Sequence, residues 1–419
     1  MAEQVFHGRW WAPDGVRRIR NDACMGTLII EEDGASRLEI YHDQRISAVF
    51  NVYERYEVIW GESADGIKIT LFNAVSLHNI KKNEFFEIVF KSSAVVIGEH
   101  IKAGGEPLFD RCIVRYKYLR NWVLKYKIPP YNIDKSGDIR KNNTPLIHTN
   151  IEEGVDLYVF HHLDYSENQY EINTAETAML TFASVNLTSA SRFVDLVREY
   201  SLFLSFALSS DQQPSEIILM KNGDNHFCRV YHKMGESTNP YDYSLIPVLH
   251  FHNKLPEILK IWHQKYDQLS QICHYLLSVL DYDEFDIPDF LIIAQALDGY
   301  HKRFMNKKNG KDIRKYRDQI DAMLDWFGDV ESIRKCHIES KMMADTRNKY
   351  SHLVPDEEDE GKTIARGTEM FRLTQKAKIL LTACILDLLG LSHKEIEVCF
   401  SNSIWQSVID AIHFEEQER

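Results

Sequence analysis

Near residue 240 the hydrophobic pattern of the chain changes its period, and that change limits the possible folds more than any other feature. Before it, short runs of branched and aromatic residues dominate: Gly26 to Ile30, Glu57 to Trp60, Ile67 to Leu71, Phe85 to Phe90 and Cys112 to Tyr118. Turn-forming clusters such as Glu32-Asp33-Gly34 and Ala64-Asp65-Gly66 bound these runs, a pattern that reads as strands and turns. Glu216 to Met220 and His226 to His232 flank Asn222-Gly223-Asp224, residue types that accept the positive φ of a tight hairpin. One interruption is helical. From Ala190 to Ala207, Phe193, Leu196, Val197, Tyr200 and Leu204 fall at near-helical spacing and predict a helix packed on the sheet.

Residues Gly235 to Val248 concentrate breakers and polar side chains, and a 3.6-residue period follows. Trp262, Tyr266, Leu269, Cys273, Leu276 and Leu280 recur every three or four positions, as do Phe290, Ile293, Leu297, Tyr300 and Phe304 after the helix-starting Pro288. Further helices are expected from Asp312 to Phe327, from about Asp329 to Leu353, from about Thr363 to Leu389, and near Ile404 to Ile412. The expected fold is therefore α+β. A β-rich domain over residues 1–240 precedes an all-α bundle of five or six helices over residues 250–419. A length of 419 residues suits two or three domains, and the Pro- and Asn-rich stretch near residues 130–145 allows a division within the first.

Charge and cysteine usage narrow the function classes. The chain has 49 Lys and Arg against 62 Asp and Glu, a formal net charge of −13, shared almost equally by its two halves. Bulk electrostatic coating of duplex DNA or of an anionic membrane rewards the opposite balance. Seven dispersed cysteines without a C-x-x-C pair support neither a disulfide framework nor a thiolate zinc site, and fit a reducing cytoplasm. The first residues lack the basic and apolar regions of a signal peptide. The most apolar stretch, Ile379 to Leu391, contains Asp387 and is shorter than the ~20 residues of a membrane span.

Most catalytic templates are missing: there is no phosphate loop, no G-x-G-x-x-G after a strand, no G-x-S-x-G elbow and no H-E-x-x-H. His161-His162 with Asp164, and His250 with His252, lack further ligands at metal-site spacing. They read as structural or solvent-exposed, and neither a cofactor nor a metal is expected. Against the acidic background one strip is basic. Lys302, Arg303, Lys307, Lys308, Lys311, Arg314, Lys315 and Arg317 face a single acid, Asp312. This density suits phosphate binding; it equally suits a solvated helix connection. The remaining constellation is Asp345 to Pro355, where Arg347-Asn348 and His352 close a long amphipathic helix just before a proline. Arg and His at this spacing carry little weight alone, so the context must supply it.

Arg347-Asn348-Lys349-Tyr350-Ser351-His352 resembles the R-[N/H/D]-x(3–5)-H motif of ribonucleases of the HEPN superfamily, which are all-helical bundles. Phe290 to Arg303 is similar to the helix of ApeA-type HEPN proteins that usually reads A-L-E-x-Y-H-R, with Asp298 in place of the more usual Glu. Phe6-His7-Gly8-Arg9-Trp10-Trp11-Ala12-Pro13, followed by Gly26-Thr27-Leu28, is similar to the opening of the ApeA N-terminal domain. The resemblance spans about the whole chain. It implies a metal-independent endoribonuclease of anti-phage abortive infection, acting on RNA, with the tRNA anticodon loop as the favoured target. It also implies a homodimer through the helical domain and an N-terminal sensor for a phage-derived activator, with no membrane partner.

The residue chemistry suits that role. Histidine exchanges protons near neutral pH, and arginine keeps its charge and offers a fork of donors to phosphoryl oxygens. His352 is then the acid/base and Arg347 the phosphate stabiliser, with Asn348 holding backbone or phosphate and Asp298 orienting His352 or Arg347. Lys302, Arg303, Lys307, Lys308, Lys311 and Arg314, with Lys349 of the motif, are the expected RNA contacts. Five helical steps leave Arg347 and His352 about 140° apart. A helix ending near His352 before Pro355, and two motif copies meeting across a two-fold axis, relieve this. The competing reading is a non-catalytic module that binds nucleotides or proteins, with Arg347 and His352 as helix-end structural residues; a metal-dependent hydrolase is a third, betrayed by EDTA sensitivity.

Overall fold

The computed structural model describes residues 3–13, 23–43, 50, 55–82, 85–124, 131–133, 139–141, 145–167, 172–221, 227–233, 235, 237–238, 244–280, 287–306 and 312–417. It divides into two compact units. One comprises residues 1–120, 127–201 and 212–237, the other residues 121–126, 202–211 and 238–419.

The first unit is strand-rich. Its strands are β1 (Gln4–Trp11), β2 (Cys24–Ile30), β3 (Ser36–Asp43), β4 (Arg55–Ser63), β5 (Lys68–Lys82), β6 (Phe85–Lys91), β7 (Ala94–Ile97), β8 (Pro107–Tyr116), β9 (Tyr131–Ile133), β10 (Ile139–Lys141), β11 (Ile147–Glu152), β12 (Val155–Glu167), β13 (Ile172–Ser189), β14 (Pro214–Met220) and β15 (Phe227–Tyr231). β9 and β10 pair only with each other; the remaining thirteen share one sheet. Within it β5-β4-β1-β2-β3-β6 closes on itself, because β6 pairs with β5 as well as with β3. That ring is a β-barrel.

Closure depends on β5 serving two neighbours along one edge. Residues Ile69 to Phe72 pair with β7, and Val75 to Lys82 with β6. Between them Asn73 takes φ 49°, a left-handed conformation that Asn tolerates better than most residues. Its amide donates to Ser93 Oγ at 3.1 Å. The barrel interior explains the glycines of the N-terminal pattern. Trp10 is fully buried and lies opposite Gly61 on β4. A Cβ on Gly61 would fall 2.1 Å from the Trp10 ring, one on Gly26 would fall 3.0 Å from it, and one on Gly8 would fall 2.3 Å from the Glu62 carbonyl. Glycine at these positions lets the indole fill the barrel alongside Leu28, Ile40, Ile59, Leu71 and Phe90.

The helices are α1 (Leu119–Leu124), α2 (Ala190–Leu208), α3 (Val248–Phe251), α4 (Leu255–Ser278), α5 (Ile287–Tyr300), α6 (Tyr316–Trp326), α7 (Glu331–Lys335), α8 (Ser340–Ser351), α9 (Thr368–Leu388), α10 (His393–Ser401) and α11 (Trp405–Gln417). In the first unit α2 lies on the sheet, with Tyr200 5.5 Å from Phe182 and Ser201 Oγ 2.9 Å from the Tyr116 hydroxyl. In the second, α9 is the central helix. Its side chains are buried on every side from Leu373 to Leu386, as expected of a helix surrounded by others.

Several expectations are corrected. The helix expected from Asp329 to Leu353 is two helices, because His337 adopts φ 43° and breaks the run. Residues 363–367 precede α9 rather than belonging to it, and α6 begins at Tyr316, not Asp312. A further helix, α10, lies between α9 and α11 and starts on a capping box: Ser392 Oγ and backbone N–H both lie 2.7 Å from the Glu395 carboxylate. The hairpin turn at Asn222-Gly223-Asp224 lies outside the described residues, as does much of the stretch near residues 130–145.

Candidate functional site

Three helices of the second unit meet around Arg347. α5 carries Asp298, α6 opens with Tyr316, and α8 carries Arg347 and Asn348 and ends beneath His352. Helix geometry fixes which way each side chain points. On α8, Lys341, Asp345 and Lys349 recur at intervals of four and share one face. That face is occupied by the following acidic segment. The Lys341 ammonium donates to the Gly361 carbonyl at 3.2 Å, and the Thr363 N–H donates to the Asp345 carboxylate at 2.9 Å. The Ala365 N–H donates to Thr346 Oγ1 at 3.0 Å. Lys349 reaches Asp356 at 2.6 Å and Asp359 at 3.0 Å, and Arg366 binds the same two carboxylates at 3.2 and 2.6 Å. Residues 356–366 thus form a strap stitched along α8.

This arrangement corrects the role expected of Lys349. Its side chain is 8% exposed and its ammonium is held by two carboxylates, so it is not presented to RNA. Burial works to lower its pKa, but the hydrogen bonds and charges of Asp356 and Asp359 hold it above the ordinary lysine value. Asp356 is pushed below the usual aspartate value by its bond to Lys349 and by the charges of Lys349 and Arg366.

Arg347 projects from another face of α8. Its guanidinium carbon lies 5.4 Å from the centroid of the Tyr316 ring, and one N–H donates to Asn348 Oδ1 at 3.3 Å. Among the described residues no carboxylate pairs with it. His352 caps α8 with φ −107° and ψ 1°; its N–H donates to the Asn348 carbonyl at 3.2 Å, and its side chain is exposed. The turn itself comes one residue later. Leu353 takes φ 50°, and the Val354 N–H closes back onto the Lys349 carbonyl at 3.0 Å, the bond of a Schellman motif. His352 closes α8 through its backbone bond to Asn348, and five helical steps of about 100° set it about 140° around the axis from Arg347. The same bare spacing from Arg37 to His42 falls on strand β3.

Asp298 is placed beside this cluster but not against His352 or Arg347. Its carboxylate accepts from Lys302 at 2.7 Å, so the direct orienting role expected of it gives way to an ion pair along its own helix. His301, fully buried and with no hydrogen-bond partner on either ring nitrogen among the described residues, starts a π-helical turn over His301–Met305. Burial pushes its pKa below the ordinary value, Lys302 adds to that, and Asp298 opposes it.

Of the basic strip, Arg303 donates to the Gln268 carbonyl at 2.6 Å and Arg314 to Asp312 at 2.7 Å, both at exposed positions. Lys307, Lys308 and Lys311 lie outside the described residues. Exposed pairs such as Arg314 with Asp312 contribute little and exchange readily for a phosphate. Sequence reasoning missed Tyr316, an aromatic residue inside a charged stretch with no motif to mark it.

Elsewhere all seven cysteines are free and buried; burial pushes the Cys228 and Cys336 thiols up to about 12, which makes them poor nucleophiles. Among the described residues no three His, Cys, Asp or Glu side chains are grouped to hold a metal, and no helix is long and apolar enough to cross a membrane.

Comparison with known proteins places both units. The family model described as ApeA N-terminal domain 1 matches residues 5–262, and the one described as Apea-like HEPN matches residues 291–395. No curated protein and no solved structure matches the chain.

Proposed function

We propose, since the chain belongs to the ApeA family and carries an Apea-like HEPN domain, that it is a metal-independent endoribonuclease of anti-phage defence. Family membership suggests nuclease-type defence. The observation that carries it is Arg347, a cation with no carboxylate partner among the described residues, set five residues before an exposed histidine at the end of the same helix. In an acidic protein, where the other described cations of the strip and motif are mostly committed to carboxylates or carbonyls, a guanidinium near a helix end that no described carboxylate neutralises is suited to an incoming phosphate.

The ribose 2′-oxygen attacks the adjacent phosphorus while a histidine takes its proton. The bond from phosphorus to the 5′-oxygen breaks, and that oxygen receives a proton from an acid, leaving 2′,3′-cyclic phosphate and 5′-hydroxyl ends. His352 serves the proton transfers and Arg347 the charge that develops on the phosphoryl oxygens. Asn348, exposed beside them, offers an amide to the phosphate. Because Arg347 and His352 of one chain point apart, the site is composite: Arg347 of one copy works with His352 of a second across a two-fold axis in a homodimer. Lys302, Arg303 and Arg314, with Lys307, Lys308 and Lys311, guide the RNA. A single-stranded loop such as the tRNA anticodon loop is the fitting substrate, since its nucleotides can be splayed for in-line attack. Residues 250–419 form the ribonuclease domain in the cytoplasm, and residues 1–240 form a regulatory domain that senses a phage-derived activator.

The test is direct. Wild type and His352→Ala are incubated with total tRNA, with and without EDTA and with and without lysate of infected cells. Fragments with cyclic phosphate ends, made by the wild type alone, are expected. Cleavage by neither protein under any condition would favour a binding module, and cleavage abolished by EDTA a metal-dependent hydrolase.

A further inference from the structure

An arginine that must meet a phosphate needs to be held without being neutralised. A carboxylate would fix it but would consume its donors and cancel its charge. Asp298, the carboxylate nearest in expectation, is bound to Lys302 instead. What lies against Arg347 is an aromatic face: the guanidinium carbon is 5.4 Å from the Tyr316 ring centroid, within the range of a cation–π contact. Such a contact uses the ring quadrupole, occupies none of the N–H donors and leaves the charge intact.

Tyr316 is itself well fixed. It is 7% exposed and is the first residue of α6. Its hydroxyl oxygen is enclosed and has no hydrogen-bond partner among the described residues. Burial pushes its pKa well up, against the charge of Arg347 and with that of Asp298, so the ring stays neutral. A buried hydroxyl without a partner is a cost rather than a contribution, which leaves the ring face as the useful part of this side chain.

We infer that Tyr316 is the positioning residue for Arg347: its ring face holds the guanidinium where the phosphate arrives, and the donors other than the one given to Asn348 stay available to it. This rests on the reading of Arg347 as the phosphate-stabilising group, and the two are separable by experiment. Tyr316→Phe keeps the ring and deletes the unpartnered hydroxyl. Tyr316→Leu keeps an apolar side chain in the space and deletes the quadrupole.

The full-length chain, with arginine side chains labelled, is examined by NMR for the Arg347 Nε–Hε resonance, assigned by its loss in Arg347→Ala. A resonance shifted by the ring in the wild type and in Tyr316→Phe, but returned to the ordinary position in Tyr316→Leu, is expected. In the activated enzyme, Tyr316→Phe should keep kcat on tRNA within about twofold, whereas Tyr316→Leu should lower it about tenfold with KM changed less than about twofold. The Arg347 resonance, read in the folded protein well below either melting temperature, separates positioning from a merely structural loss. An Arg347 resonance unmoved by Tyr316→Leu overturns the inference whether or not RNA is cut, as does a kcat lowered equally by both substitutions. If the resonance behaves as expected but Arg347→Ala still cleaves RNA, the positioning stands and the catalytic reading of Arg347 falls.

Discussion

Leu353 should behave in opposite ways in a monomer and in a dimer. It follows His352 directly, adopts φ 50° and is 85% exposed. The left-handed conformation costs a non-glycine residue about 1–2 kcal/mol, and so exposed a side chain recovers almost none of that through burial in its own chain. Leu353→Gly removes the strain, while the added freedom of glycine in the unfolded chain costs about 0.5–1 kcal/mol. An isolated chain should therefore gain up to about 1.5 kcal/mol. If Leu353 is covered by a second copy, each copy instead forfeits the burial of a leucine, about 2 kcal/mol. Two copies together lose about 4 kcal/mol, roughly a thousandfold in dimer affinity. Sedimentation over a concentration series, with urea unfolding at low and high protein concentration, reads both effects. The expected pattern is a raised urea midpoint where the chain is dilute and a strongly weakened dimer where it is concentrated. An unchanged dimer would remove Leu353 from the interface, and a lowered midpoint in dilute protein would refute the strain argument.

Other expectations concern the barrel, the buried histidine and the strap. Gly61→Ala places a methyl 2.1 Å from the Trp10 ring and should destabilise the protein by about 3 kcal/mol or more; Trp10→Leu in the same chain should recover part of that in denaturant unfolding, and strict additivity would show that the two do not touch. His301, held below the ordinary histidine pKa by burial, should contribute full stability above about pH 6.5, with loss as the pH falls through its folded value. That loss cannot exceed about 1.4 kcal/mol per pH unit, and His301→Met should flatten the melting profile between pH 7 and 5; an identical profile would show that the ring titrates normally. Asp356, held below the usual aspartate value by Lys349 and Arg366, should keep the strap closed above about pH 4 and release it in stronger acid. Hydrogen exchange at the Thr363 and Ala365 amides should accelerate there and, in Lys349→Met, already at neutral pH, while the salt dependence of RNA binding by Lys349→Met stays unchanged. A slope reduced by about one would put Lys349 back on the RNA.

The period change at residue 240 made the strand-rich and helical halves legible, because each period reports one buried face. Ring closure was not, since it depends on β5 changing partners at Asn73, and no local pattern reports which distant strand a residue will meet. The break at His337 was hidden for a different reason: no Gly or Pro marks it, and the left-handed residue is held in place by the surrounding fold, with Lys376 donating to its carbonyl at 3.1 Å. The capping box at Ser392 was readable and was passed over. In the site, the end of α8 at His352 followed from Pro355, and the divergence of Arg347 and His352 followed from helix geometry. The inward turn of Lys349 did not, because it depends on where the acidic strap folds back. Tyr316 could not be found from sequence at all; its role exists only through the meeting of α6 with α8.

A nuclease site shared between two copies can be rebuilt by mixing two inactive chains. Arg347→Ala and His352→Ala are each purified, then combined, denatured and refolded together, and assayed on tRNA in EDTA. If Arg347 of one copy works with His352 of the other, a mixed dimer regains one intact site. With random pairing, half of the dimers are mixed and half of their sites are whole, so about a quarter of wild-type activity should return. Neither chain alone should cleave. A mixture as inactive as its parts, while co-refolded wild type recovers full activity, would contradict the account.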